Sequence, residues 1–246
     1  MTETSDVHYT IRVSPKARRL SIRITFRGEV EVVVPRRYDQ RRIPSLVGSK
    51  RDWIERTVTR IRDERGLIGD HLPDILPAQL DMPAIGERWA VDYENGPQKA
   101  MRLVERPPEH EGETGHVVLR GNIEDRPLCR RALRRWVMAR ARERLMPWLR
   151  EVSEETGLHF SSVTVRGPGT RWASCSFQKG ISLSCKLVFL SHEQVRYVFL
   201  HELVHTVHPD HSARFWATLS LYEPECRRHD REVRRCWKAV PMWMDG

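Results

Sequence analysis

His201, Glu202 and His205 stand together in the run HELVH, residues 201–205. On a helix, positions i and i+4 lie on one face, about one turn apart. Two imidazoles spaced in this way can hold a single Zn2+ ion. Glu202 is one residue round from His201, beside the metal position, and its carboxylate can take a proton from an attacking water. The pattern therefore predicts a metal-assisted hydrolysis with Glu202 as general base.

A catalytic zinc takes three protein ligands and keeps one position open. Three downstream residues are candidates for the third ligand. His208 lies at i+7 from His201 on the same helical face, so three Cα atoms would run nearly in line over about 10 Å, a poor fit to a tetrahedral ion. His211 follows the Pro209–Asp210 turn and can approach from another direction. It also sits near the start of a next helix, whose positive end favours neutral imidazole. Glu223 is the remaining candidate, 18 residues after His205. His211 is preferred, then Glu223, then His208.

These residues need elements to position them. HEQVRYVFLHELVHTVH (192–208) reads as a helix ending by His208, because Pro209 disfavours helix in the residue before it. A further helix starts near Ser212 and carries Phe215, Trp216, Leu219 and Leu221. Residues 126–156 form the longest predicted helix, with Leu128, Leu133, Trp136, Val137, Leu145, Trp148, Leu149 and Val152 at helical spacing. SVTVR (162–166) and ISLSCKLVFL (181–190) read as strands on either side of the turn-rich GPGTRWASCSFQKG. Near the N-terminus, residues 7–13, 20–26 and 30–34 read as a short antiparallel meander. Residues 40–65 read as one helix capped by Gly66. The acidic, proline-containing stretch 66–125 holds three candidate strands, GERWAVDYE, MRLVE and HVVLRG. The fold class is α+β: an N-terminal β-rich region over 1–125, and over 126–246 a catalytic domain.

The 246 residues are enough to bury a substantial core, and no apolar run approaches the roughly 20 residues that span a bilayer. The polar start, MTETSDVHYT, does not read as a targeting segment. Five cysteines, an odd count without a CxxC pair, read as reduced thiols in a cytoplasmic setting. Net charge is +9, distributed as +7 over 1–65, −7 over 66–125 and +9 over 126–246. Arg130, Arg134 and Arg135 lie on the polar face of the long helix, where a weak nucleic-acid association is an expectation set against an ordinary solvated face.

The chain resembles the YgjP-like family of zinc metallopeptidases, related to SprT-like and WLM proteases. The likeness is carried by RWASC (171–175), ISLSC (181–185), YVFLHELVH (197–205) and DHSARFW (210–216). It extends more weakly to SPKARRLSIRI, VEVVVPRR and KRDWIERTVTRI. Ala173 stands where the family pattern has Gly, and Ser184 where it has Asn. The resemblance implies a zincin-like fold, a protein or peptide substrate, zinc ligands His201, His205 and His211, and Glu202 as the catalytic carboxylate.

Arg171 and Trp172 are candidate substrate contacts, and the 181–188 strand is a candidate edge for strand addition by substrate. Tyr197 reads as core, while Tyr222 and His229 are only guesses for a transition-state donor. Two rival readings are a basic nucleic-acid-binding protein with a structural zinc and an inactive peptidase-like scaffold. Only three good ligands stand together, which leaves the open position of a catalytic site and speaks against the first; the four intact residues His201, Glu202, His205 and His211 speak against the second.

Overall fold

The computed structural model describes residues 7–25, 28–65, 76–96, 100–110, 112–167 and 171–244. The chain divides into two compact units, Met1–Pro73 and Asp74–Gly246.

In the first unit, β1 (Tyr9–Val13), β2 (Ser21–Ile24) and β3 (Val30–Val34) form a sheet in the order β1-β3-β2. β3 is VEVVV, and all four valines are buried. Placing the most apolar strand in the centre buries it best and gives both its backbone edges a partner. β1 therefore pairs with β3 in parallel and β2 pairs with it antiparallel, so the expected meander is corrected. The expected single helix over 40–65 is also broken. A 3-10 turn (Gln40–Arg42) leads into α1 (Ile43–Ser49), and α2 (Arg51–Arg65) follows a non-helical Lys50. Gly48 and Ser49, both poorer helix formers than Ala, immediately precede the break. Ile43, Val47 and Ile54 pack on the valines, whereas Leu46 and Trp53 stay exposed. Gly66, the expected cap, lies outside the described residues.

The second unit opens with a four-stranded sheet. β4 (Gln79–Met82), β5 (Glu87–Asn95), β6 (Arg102–Arg106) and β7 (Thr114–Gly121) run in the order β4-β5-β7-β6. The last three are the strands expected there. β4 was not, since four residues are too few for alternation to stand out. Next comes α3 (Arg126–Thr156), with the bounds expected from its periodicity. Its ends have local causes: the Asp125 side chain accepts the Leu128 N–H at 2.8 Å, Pro127 occupies the first turn, and Gly157 closes the helix at φ 69°. Trp89, Val117 and Leu119 of the sheet share one core with Leu133, Trp136 and Val137 of α3, and Trp89 meets Trp136 edge to face at 5.0 Å. The division at Pro73–Asp74, rather than at 125–126, follows from this shared core, which binds the strands to α3.

α3 also packs against the third sheet, formed by β8 (Ser162–Arg166), β9 (Ala173–Cys175) and β10 (Gly180–Ser184) in the order β8-β10-β9. The expected strand over 181–190 is half strand and half 3-10 turn (Cys185–Phe189), with the Ser184 hydroxyl accepting the Lys186 N–H at the junction. Three helices complete the unit: α4 (His192–Val204), α5 (Ala213–Tyr222) and α6 (Cys226–Arg235). α6 has no counterpart in the sequence reading: CRRHDREVRR is mostly charged, and its buried stripe is only Cys226, His229 and Val233. Among the described residues, no helix is long and apolar enough to cross a membrane.

Candidate metal centre

α4 starts at a capping box formed by Ser191 and Gln194. Val195, Val198, Phe199, Leu200, Leu203 and Val204 are buried, so the helix runs through the core and carries His201 and Glu202 with it. It ends four residues earlier than expected. The last turn tightens into 3-10 form, with the Thr206 N–H on the Leu203 carbonyl and the Val207 N–H on that of Val204, and the Thr206 hydroxyl also takes the Leu203 carbonyl at 2.7 Å. The chain then turns through Pro209 and Asp210, whose carboxylate accepts the Ser212 N–H at 3.2 Å. This turn brings His211 back over α4.

Three imidazoles converge here. His201 Nε2 lies 3.2 Å from His205 Nε2 and 3.0 Å from His211 Nε2. The three potential ligand atoms all lie within 4.8 Å of one another. A tetrahedral ion with the Zn–N distances of a protein site would hold its nitrogens roughly 3.3 Å apart, so this donor set fits such an ion. Phe215 is fully buried beneath them, its ring centroid 4.9, 4.6 and 4.8 Å from those of His201, His205 and His211. It comes from the first turn of α5, just after the Pro209–Ser212 turn that carries His211.

The electrostatics suit ligation. Burial, reinforced by the neighbouring His205 and His211, pushes His201 down to about 3. Burial also lowers His205, against the pull of the His208 carbonyl. Both shifts favour neutral imidazole, the form that binds a cation. That same carbonyl lies 3.0 Å from His205 Nδ1. A carbonyl can only accept, so Nδ1 carries the proton and Nε2 keeps its lone pair for the centre.

Glu202 is buried beside the imidazoles, 7% exposed. Burial pushes its carboxyl up to about 7, opposed by a backbone hydrogen bond from Cys175 and the charge of Arg171. A carboxylate in that range is matched to proton transfer near neutrality. An open cleft of ≈ 630 Å³ reaches it, walled by β9 and its turn on one side and by α4 on the other, with Arg171 and Phe177 on its lining.

The remaining expected residues are placed as follows. Arg171 is exposed at the cleft. Trp172 is buried, donates its indole N–H to the Val233 carbonyl at 2.9 Å and stacks on Trp237 at 3.8 Å, which anchors β9 to α6. It lines a second recess of ≈ 450 Å³ that also reaches His201. His208 turns away to Thr218, and Glu223 lies 3.8 Å from His229 rather than among the imidazoles. The Tyr222 hydroxyl donates to the Thr156 carbonyl. β10 is paired along both edges, so the 181–188 strand cannot accept an added strand, and β9 is the edge strand on the cleft side. Hydrogen bonds from Ser176 to Gly180 and from Ser184 to Trp172 turn the alternate residues Ala173 and Cys175 away from β10. Arg130, Arg134 and Arg135 lie on α3 and do not line the cleft.

A family model described as YgjP-like, metallopeptidase domain, matches residues 18–236. The chain belongs to this family. It is a metallopeptidase, its fold is α+β, and its substrates are proteins or peptides. Among solved structures it is similar to the zymogen of the Pyrococcus abyssi metallopeptidase abylysin, at 22% identity over 37% of this chain and 91% of that one, with a TM-score of 0.33. It is also similar to the zymogen of Methanocaldococcus jannaschii jannalysin, at 23% identity over 35% and 90% of the two chains, with a TM-score of 0.32. No curated protein matches.

Sequence reasoning missed two residues at this centre. In the sequence Phe215 reads only as part of an apolar stripe on the helix after Ser212. Asp230 gave no local signal at all, because α6 alone brings it in.

Proposed function

We propose that this family member hydrolyses peptide bonds with a Zn2+ ion held by His201, His205 and His211 and with Glu202 as general base. The observation that carries the reading is the convergence of three imidazole Nε2 atoms beside one buried carboxylate. Bound there, zinc supplies Lewis-acid polarisation of the scissile carbonyl and of the attacking water. Glu202 takes the proton of that water and delivers it to the leaving amine. Its burial supports both steps, since a carboxyl raised to about 7 can accept a proton and give it up again.

Among the described residues no fourth His, Cys, Asp or Glu joins the three imidazoles, which favours an open catalytic site over a closed structural one. The outward backbone of Ala173 on β9 offers an extended substrate an N–H and a C=O beside Glu202. Arg171, at the mouth, supplies a positive charge for a substrate carbonyl or carboxylate. Nucleic acid is not part of this reading, since nothing in the site draws on Arg130, Arg134 or Arg135. The test is a substrate-trapping pull-down with Glu202→Gln, with proteins captured by the variant then offered to the parent enzyme. Cleavage that stops on chelation and returns with zinc supports the reading. Captured proteins that the parent leaves intact would sink it.

A further inference from the structure

We propose that Asp230, acting through Tyr197, holds His201 in the tautomer that a metal ion requires. The inference rests on the reading of His201 as a ligand.

A ligating imidazole presents the lone pair of one nitrogen and carries its proton on the other, and the partner of that second nitrogen decides which is which. For His205 the partner is a carbonyl, which leaves no choice. For His201 it is the Tyr197 hydroxyl, 3.4 Å from Nδ1. A phenol can donate or accept, so by itself it would leave the tautomer open. Asp230 closes the choice. The Tyr197 hydroxyl donates its single proton to Asp230 Oδ1 at 3.3 Å. Its oxygen then has only lone pairs to offer Nδ1, which must be the protonated nitrogen, and Nε2 faces His205 and His211 unprotonated.

The parts are held for this. Tyr197 precedes His201 by one turn of α4, is 2% exposed and stacks on His229 with ring centroids 5.7 Å apart. Asp230 comes from α6. Arg234, one turn further on, donates from Nε to Asp230 Oδ2 at 2.9 Å and from Nη2 to Oδ1 at 3.3 Å, which fixes the carboxylate plane. Tyr197 and Asp230 are positioning residues and touch no substrate in this scheme.

The test measures zinc affinity of the full chain by competition with a chromophoric chelator, together with the His201 ring-nitrogen NMR signals of the zinc-free protein. Tyr197→Phe removes only the hydroxyl. It should weaken zinc binding roughly 10- to 100-fold, the usual effect of removing an outer partner of a ligand, and should let His201 populate both tautomers. Asp230→Ala keeps the phenol but frees its proton to point at Nδ1, so it should weaken binding as well. The double variant should be no weaker than Tyr197→Phe alone, because Asp230 acts only through the phenol. Unchanged affinity and tautomer in Tyr197→Phe would overturn the proposal. So would an Asp230→Ala effect that persists in full without the phenol. If Tyr197→Phe does not fold, unchanged affinity in Asp230→Ala is enough to overturn it. The ligand reading fails separately, if His201→Ala binds zinc as tightly as the parent.

Discussion

His201 Nε2 and His211 Nε2 lie 3.0 Å apart, although ten positions, a helix end and a proline turn separate them along the chain. The approach depends on α4 stopping at Val204. One more regular turn would carry the backbone past the cleft, and the tight Leu203–Thr206 and Val204–Val207 bonds prevent it.

That closeness gives the first prediction. Purified protein should contain about one zinc per chain by elemental analysis, the stoichiometry of a single three-ligand site. His211→Ala should lose most of the metal, whereas His208→Ala should keep it, since that side chain is directed to Thr218. The opposite pattern would mean the third ligand is misassigned.

Glu202→Gln preserves shape and removes the basic carboxylate. The variant should stay folded and bind zinc as the parent does. Its turnover should drop by roughly two to four orders of magnitude, the usual contribution of a positioned general base. Single-turnover kinetics on a substrate the parent cleaves would check this, and equal rates would remove Glu202 from the mechanism.

Phe215 supports all three imidazoles from below. Phe215→Ala should lower stability by about 3–5 kcal/mol in denaturant titration, as emptying a fully buried aromatic site does. Phe215→Leu should cost less and retain more zinc, because part of the floor remains.

A stability test away from the centre concerns Glu87. Burial tends to raise its carboxyl, but hydrogen bonds from Arg140 and Arg144 outweigh that and leave it below its ordinary value. A carboxyl depressed in the native state adds stability above its unfolded pKa, and that stability is lost as pH falls through the native value. Glu87→Gln should therefore be destabilising at pH 7, and the difference from the parent should shrink below about pH 4, where the unfolded carboxyl protonates. A difference that stayed constant between pH 7 and pH 3 would show that the ion pairs contribute nothing to folding.

What the sequence by itself determined was set by spacing along single long elements. The i, i+4 spacing of His201 and His205 puts two imidazoles on one face wherever that helix lies. α3 could be read end to end because its apolar residues recur at helical spacing from Leu128 to Val152. The tertiary structure decided what depends on burial and on distant partners. β3 took the centre of its sheet because its valines needed cover, and β9 rather than β10 became the edge. The strands of 79–121 joined α3 because Trp89 and Trp136 share a core. α6 is mostly charged and marks its buried face with only Cys226, His229 and Val233, yet it delivers Asp230 to Tyr197 and so to His201. Glu202 is an ordinary carboxylate in the sequence, and its carboxyl is raised to about 7 only because the fold removes its water.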